Sequence, residues 1–342
     1  MAHEMTENDS AAYAIKPAWH GLGTVVDDYM TPREALEKSG LDWLVVQSDC
    51  AYFKWDNLLY NYETQSLENH PTTTFASEVV ANIRNDTSRI LGVVGESYDV
   101  VQNKELADIA YAIAGDATQV ETMGSLRDGR QVYMLIKMDK FYAGHNDEVQ
   151  PYFLLSNGHD GKLSLSGKPT SIRVVCANTL DMAIQGQSSF RFTHRGDKTE
   201  HIIEAKAMMK EMQKTGKTFQ KQVSSLSQKQ MGVKDIQKFW LEVYSLVSDK
   251  PVIINPQTDE EKKARLHSIT VISKWAELFD AEREENKYGA NAWIAMNAVT
   301  NWMDHERLFR GKNRDDNRVH SALFGRGARI KQGIFKKTLE LI

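Results

Sequence analysis

Over the first 195 positions apolar and polar residues alternate in short runs, the period of two that marks strands, with Gly, Asn and Asp punctuating them. Strands are expected at 43–47, 58–62, 78–84 and 90–95. A hairpin follows at 120–126 and 131–138 around Arg127-Asp128-Gly129-Arg130, where Asp-Gly suits a type I′ turn. A second is expected at 152–156 and 162–166 around Asn157-Gly158-His159-Asp160-Gly161. A strand at 171–175, a short helix from Cys176 to Ile184 and a last strand at 189–193 complete this part. Only two further helices interrupt it. One starts at Thr31-Pro32-Arg33-Glu34, with Thr at the N-cap, Pro at N1 and Glu at N3. The other covers 104–114, capped by Asn103, with Leu106, Ile109, Ala110 and Ile113 on one face.

From Asp197 the period changes to that of a helix. Helices are expected at 199–229, with Ile202, Ile203, Ala205, Met209 and Met212 in a stripe, at 233–247, and at 258–288, where Thr258 caps and Glu261 sits at N3. Two more follow at 291–309 and 322–341, around a polar loop at 311–317; a Pro-bounded linker occupies 249–257. The layout is α+β: a hairpin-rich α+β domain over 1–195 and a helical domain over 196–342, ending in a basic helix.

Composition narrows the class. An apolar fraction of 41% and a charged fraction of 26% are those of a globular protein, and exclude a wholly disordered, collagen-like or rod-like chain. No apolar run approaches the ~20 residues of a membrane span. The N-terminus has no basic segment followed by an apolar one, so no signal peptide is expected. The two cysteines, Cys50 and Cys176, lie far apart without a CxxC pattern, which points to a reducing cytoplasm. The net charge of −4 hides an asymmetry: residues 1–150 carry 11 basic and 24 acidic side chains, whereas the remainder carries a net +9. Such opposition suggests a nucleic-acid partner or self-association.

Enzyme signatures are missing. There is no GxGxxG, Gx4GK[ST], HExxH or GxSxG, and Gly21-Leu22-Gly23 is too short for a phosphate loop. Neighbours on a helix point about 100° apart, so Asp304-His305-Glu306 reads as a solvated helix face and not as a metal site. His159-Asp160 is explained by its Gly-rich turn, with a catalytic His-Asp pair as the sharper alternative. Trp19-His20-Gly21-Leu22-Gly23 either pins the N-terminal segment or stacks on a ligand. No catalytic residue, metal ligand or cofactor is expected. The suggestive residues are basic. Arg127, Arg130, Lys162, Lys168 and Arg173 lie in the hairpin region. Phe190-Arg191-Phe192-Thr193-His194-Arg195 interleaves aromatic and basic side chains; as a strand it puts Arg191 and Thr193 on one face and Phe190, Phe192 and His194 on the other. Arg326 and Arg329 stand in the basic C-terminal helix. Basic grooves with aromatic platforms hold single-stranded nucleic acid; an edge strand with a charged outer face and a solvated helix are the plain alternatives.

Several segments carry a resemblance. They are Ala2-His3-Glu4-Met5, Pro17-Ala18-Trp19-His20-Gly21-Leu22-Gly23, Gly95-Glu96-Ser97-Tyr98 with Val101-Gln102-Asn103, and Arg173-Val174-Val175-Cys176-Ala177-Asn178-Thr179-Leu180. Asn297-Ala298-Val299-Thr300 with Asp304-His305, and Leu323-Phe324-Gly325 with Gly327-Ala328, complete the set. Together they make the chain similar to the phage and plasmid proteins of the domain-of-unknown-function family numbered 932. The resemblance implies a mobile element acting in a bacterial cytoplasm, and supplies no activity. In that setting the pattern is similar in type to single-strand annealing proteins such as RecT and Red-beta. That likeness sharpens the expected fold to a curved antiparallel β-sheet core with packed helices, followed by a helical C-terminal domain. The expected function is binding, and annealing, of single-stranded DNA for recombination by a ring or helical homo-oligomer, with no membrane involved. Two other readings stand beside it: a protein–protein effector that inhibits a host defence system through the acidic half, and a metal-dependent nuclease using acids such as Asp160 and Asp181.

Overall fold

A computed structural model describes residues 10–15, 23–54, 58–61, 63, 66–69, 72–115, 118–143, 147–173, 178–181, 190–192, 194, 203, 207, 217–286, 289–308, 321 and 325–342. Among them the chain is α+β. A nine-stranded sheet runs in the order β13-β12-β11-β9-β8-β1-β2, with β10 beside β11 and β14 beside β12. Its strands are β1 Ala11–Ala14, β2 Thr24–Val26, β8 Val120–Leu126, β9 Gln131–Lys137, β10 Phe141–Ala143, β11 Asp147–Gly158, β12 Leu165–Arg173, β13 Asn178–Asp181 and β14 Phe190–Phe192. All pairs are antiparallel except β1–β2, which is parallel and makes the sheet mixed. A second, three-stranded sheet consists of β3 Val45–Lys54, β6 Thr72–Arg84 and β7 Ile90–Gly95; β4 Leu58–Asn61 and β5 Ser66–Asn69 form a separate hairpin.

Local chemistry sets the two helices of this part. In α1 (Pro32–Lys38) the Glu34 amide donates to Thr31 Oγ1 and the Thr31 amide donates to the Glu34 carboxylate, a reciprocal cap. In α2 (Asn103–Ala114) the residue ahead of the helix is Gln102. Its carboxamide bonds both backbone groups of Val45, tying the helix start to β3. Asn103 does not cap; its amide donates to the Leu41 carbonyl instead. Leu106, Ile109 and Ala110 of α2 pack with Ala35 and Leu36 of α1 on one face of the nine-stranded sheet, against Val132, Met134, Ile136, Phe153 and Leu155. Leu126, Tyr133, Leu135, Tyr152 and Leu154 make a smaller cluster on the other face.

The helical part comprises α3 at 217–228, α4 Val233–Ser248, α5 Asp259–Asn286, α6 Ala292–Asn301 with a π turn at Trp302–Glu306, and α7 Arg326–Leu339. Thr258 and Glu261 cap α5 reciprocally, and the Asn291 side chain caps α6. Ile236, Phe239, Trp240, Val243, Tyr244 and Val247 line the buried face of α4 at helical spacing. The helical core extends into the sheet: Phe141, Ala143 and Val149 of β10 and β11 belong to it, and Trp293 Nε1 donates to Asp147 Oδ2 at 2.7 Å in a buried bond.

Three expectations need correction. The segment from Cys176 to Ile184 is not helical where described; Asn178–Asp181 is β13, paired with Thr170–Arg173 of β12. The second hairpin pairs Ser156 with Ser166, so its connection is longer than the five residues 157–161. Asp304 is no solvated position. It is buried in the π turn and accepts from Lys331 Nζ through both oxygens, at 2.8 and 2.9 Å, with Lys331 itself 0% exposed. Trp19 to Leu22, residues 174–177, Thr193, Arg195, 311–317 and most of 199–216 lie outside the described residues.

Candidate nucleic-acid interface

The nine-stranded sheet has two dissimilar ends. At one, β10, the start of β11 and β13 meet α6 and α7. At the other lie the β8–β9 and β11–β12 turns, and here four of the candidate cations gather. The His159 amide donates to the Arg130 carbonyl, joining the two turns. Lys162 follows within the same turn, its amide held by Asp160 Oδ1. Arg191 on β14 pairs with Ser166 and donates from Nε to Ser164 Oγ, bringing it beside that turn. Arg127, Arg130, Lys162 and Arg191 therefore share one end; Lys162 and Arg191 are exposed, Arg127 and Arg130 half-buried.

The β8–β9 turn is strained. Arg127, Asp128 and Gly129 take φ of 58°, 63° and 82° in succession. Gly and Asp tolerate this left-handed region; a long side chain such as Arg at φ 58° costs about 1–2 kcal/mol. The four residues expected between the two strands are the ones that connect them, but three successive left-handed residues replace the two of a type I′ turn, and Arg127 is the first of them. Strain of this kind collects at ligand-binding sites.

The three-stranded sheet packs over the same end and adds residues that the sequence reading passed over. Arg84 lies over the Trp43 ring, 4.4 Å from its centroid, and bonds Asp86 at 2.7 Å. Arg89 pairs with Asp128 at 2.8 Å, so one arginine of β6–β7 braces the strained turn. A Cβ on Gly92 would stand 2.6 Å from Asp160 Cα, so glycine alone permits this close approach of β7 to the β11–β12 turn. Asn82 Nδ2 donates to the His159 carbonyl. The clue in the sequence was Arg84-Asn85-Asp86-Thr87-Ser88-Arg89, a basic pair flanking a turn within the acidic half.

The aromatic alternation of 190–194 holds at the described positions: Arg191 is exposed, while Phe192 and His194 are buried. That burial removes His194 from direct contact with a ligand. Its ring stacks on Tyr98 at 4.4 Å, and its nitrogens face the carbonyls of Asp99 and Leu163. It positions the turn instead. His159 is fully buried, with Nε2 3.0 Å from Asn103 Oδ1. Burial, assisted by His194, brings its pKa down to about 3, so the ring is neutral.

The remaining candidates lie elsewhere. Lys168 sits further along β12, half-buried, and Arg173 ends that strand opposite Asn178 and Val149, at the helical end. Arg326 pairs with Asp249 at the start of α7, and Arg329 is exposed one turn on; α7 packs against α4, α6 and β13, away from the turns. Asp160 and Asp181 do not come together: one sits in the β11–β12 turn, the other pairs with Thr170 in mid-strand. Among the described residues no three His, Cys, Asp or Glu side chains group as metal ligands, and no helix is long and apolar enough to cross a membrane.

A family model described as a domain of unknown function, DUF932, matches residues 90–323. No curated protein and no solved structure matches the chain significantly.

Proposed function

Because the chain belongs to the DUF932 family, whose description assigns no activity, function has to be read from its surface, and we propose that this protein binds single-stranded DNA and anneals it as an oligomer. The observation that carries this reading is the cationic turn end, where Arg127, Arg130, Lys162 and Arg191 converge from three separate stretches of chain. Cations on a rigid sheet end neutralise successive phosphates and release counterions, leaving bases free to pair with a second strand. The strained presentation of Arg127 supports it, since strain retained by a fold is commonly retained for contact.

Self-assembly is supported by the three-stranded sheet. Its register puts Val46, Ile83 and Ile90 on one face together with Val93, turned away from the nine-stranded sheet. Val46, Ile90 and Val93 are 46, 55 and 57% exposed, an apolar face suited to a second copy. The cytoplasm of a bacterial host and a role in phage or plasmid recombination belong to the same proposal.

The test is fluorescence anisotropy with a labelled oligonucleotide across salt concentrations. Four phosphate contacts predict a slope of log K against log salt near −3, from about −0.7 per contact on a single strand. Alanine at Arg127, Lys162 or Arg191 should each lower that slope by about 0.7. Absence of binding to the unaltered protein at micromolar concentration and low salt refutes the reading.

A further inference from the structure

Four buried side-chain atoms at the turn end have no protein hydrogen-bond partner: Trp43 Nε1, Arg130 Nε, Asn157 Oδ1 and His159 Nδ1. Their parent residues share one face of the sheet. Arg130 and His159 are joined through the backbone across β9 and β11, Asn157 precedes His159 by two, and Trp43 meets the His159 ring edge-on at 5.5 Å. Trp43, Asn157 and His159 are all more than nine-tenths buried.

Their chemical roles follow from neighbours. Asn103 Nδ2 donates to the Leu41 carbonyl, so Asn103 Oδ1 is the atom facing His159, and His159 Nε2 must carry the proton. His159 Nδ1 is therefore a lone-pair acceptor. Asn157 Nδ2 donates to the Val101 carbonyl, which leaves Oδ1 as an acceptor. Trp43 Nε1 and Arg130 Nε are donors only. Two donors and two acceptors thus lie buried around the His159 ring. Leaving all four unsatisfied costs a large share of what holds a domain folded.

We propose that Trp43, Arg130, Asn157 and His159 line an internal site for water, which accepts from the indole and guanidinium and donates to the imidazole and carboxamide. Water is the ligand of choice because it is the smallest molecule that both donates and accepts, and buried waters typically hold about three such bonds. Anions are disfavoured by the two acceptors, and cations by the two donors. The site does not depend on the DNA-binding reading.

Two measurements on the full chain test it. A high-resolution crystal structure should show an ordered water within hydrogen-bond distance of His159 Nδ1 and of at least one of the other three atoms. Nitrogen-15 NMR should find the His159 proton on Nε2 and a long-lived water cross-peak at the Trp43 indole proton. That cross-peak should be lost in the double variant Asn157→Leu with His159→Phe, which replaces both acceptors by apolar groups. A proton on Nδ1, a direct bond between Nδ1 and a protein donor, a different molecule in the site, or a cross-peak that survives the double variant each overturns the proposal; the first three are read on the unaltered protein.

Discussion

His159 shows how one side chain ties a site together and leaves a pH signature. In the folded protein burial holds its pKa near 3, whereas the unfolded chain has the ordinary value of 6.5. Above pH 6.5 the ring is neutral in both states and its contribution to stability is fully present. As pH falls below 6.5 the unfolded state takes up a proton that the folded state refuses, so stability is lost progressively toward pH 3. The rate of loss is about 1.4 kcal/mol per pH unit. Urea denaturation at pH 7.5 and pH 5 should therefore show a difference of about 2 kcal/mol from this group, and His159→Phe should remove that portion. Little of this was legible in the sequence. Asn157-Gly158-His159-Asp160-Gly161 announced a turn, which is local chemistry. Nothing local announces that Asn103, 56 positions earlier, holds the ring from across the core. Arg84 and Arg89 were hidden differently, because they stand in a stretch whose average charge is acidic.

Elements were legible where their causes are contained within a few residues. The reciprocal caps at Thr31 and Thr258 lie where the spacing of Thr and Glu puts them, and β7 has the bounds expected from its apolar run. β13 was not legible, since Asn178-Thr179-Leu180-Asp181 has no strand pattern of its own and becomes a strand through its hydrogen bonds to Thr170–Arg173 of β12. The turn of Arg127-Asp128-Gly129 lies between these cases: its existence follows from Asp-Gly, its strain from the pairing of Leu126 with Gln131, which leaves four residues to cross. Glycine at position 127 relieves a side-chain penalty of about 1–2 kcal/mol and adds a backbone entropy cost of about 0.5–1 kcal/mol. Arg127→Gly should accordingly leave the melting temperature unchanged or slightly raised, while oligonucleotide affinity drops by the loss of one phosphate contact. Calorimetry alongside anisotropy separates the two effects. A parallel fall in both would mean that the arginine serves the fold.

At the scale of the molecule, the division near 195 into an α+β part and a helical part describes where helices and strands lie. The cores are less separate, because Phe141, Ala143 and Val149 are sheet residues packed within the helical cluster. Trp293→Phe keeps the aromatic volume but leaves the Asp147 carboxylate buried without its indole donor, at a cost of about 2 kcal/mol or more. Differential scanning calorimetry should show this variant melting earlier, with the helical and sheet parts separating into two transitions. A single transition at the original temperature would show that the bond contributes little to their coupling.

The strand that begins at Asp147 ends at Gly158, beside His159. One continuous run of twelve residues thus connects the anchor in the helices to the node beneath the cationic turns. In mechanical terms β11 is a tie rod. It is flanked on both edges by antiparallel neighbours, so a pull along it is carried in shear by many hydrogen bonds at once instead of peeling them one by one. On the proposed function, tension on a single strand of DNA held at the turns would run lengthwise into the helical body, the direction in which the sheet is stiffest.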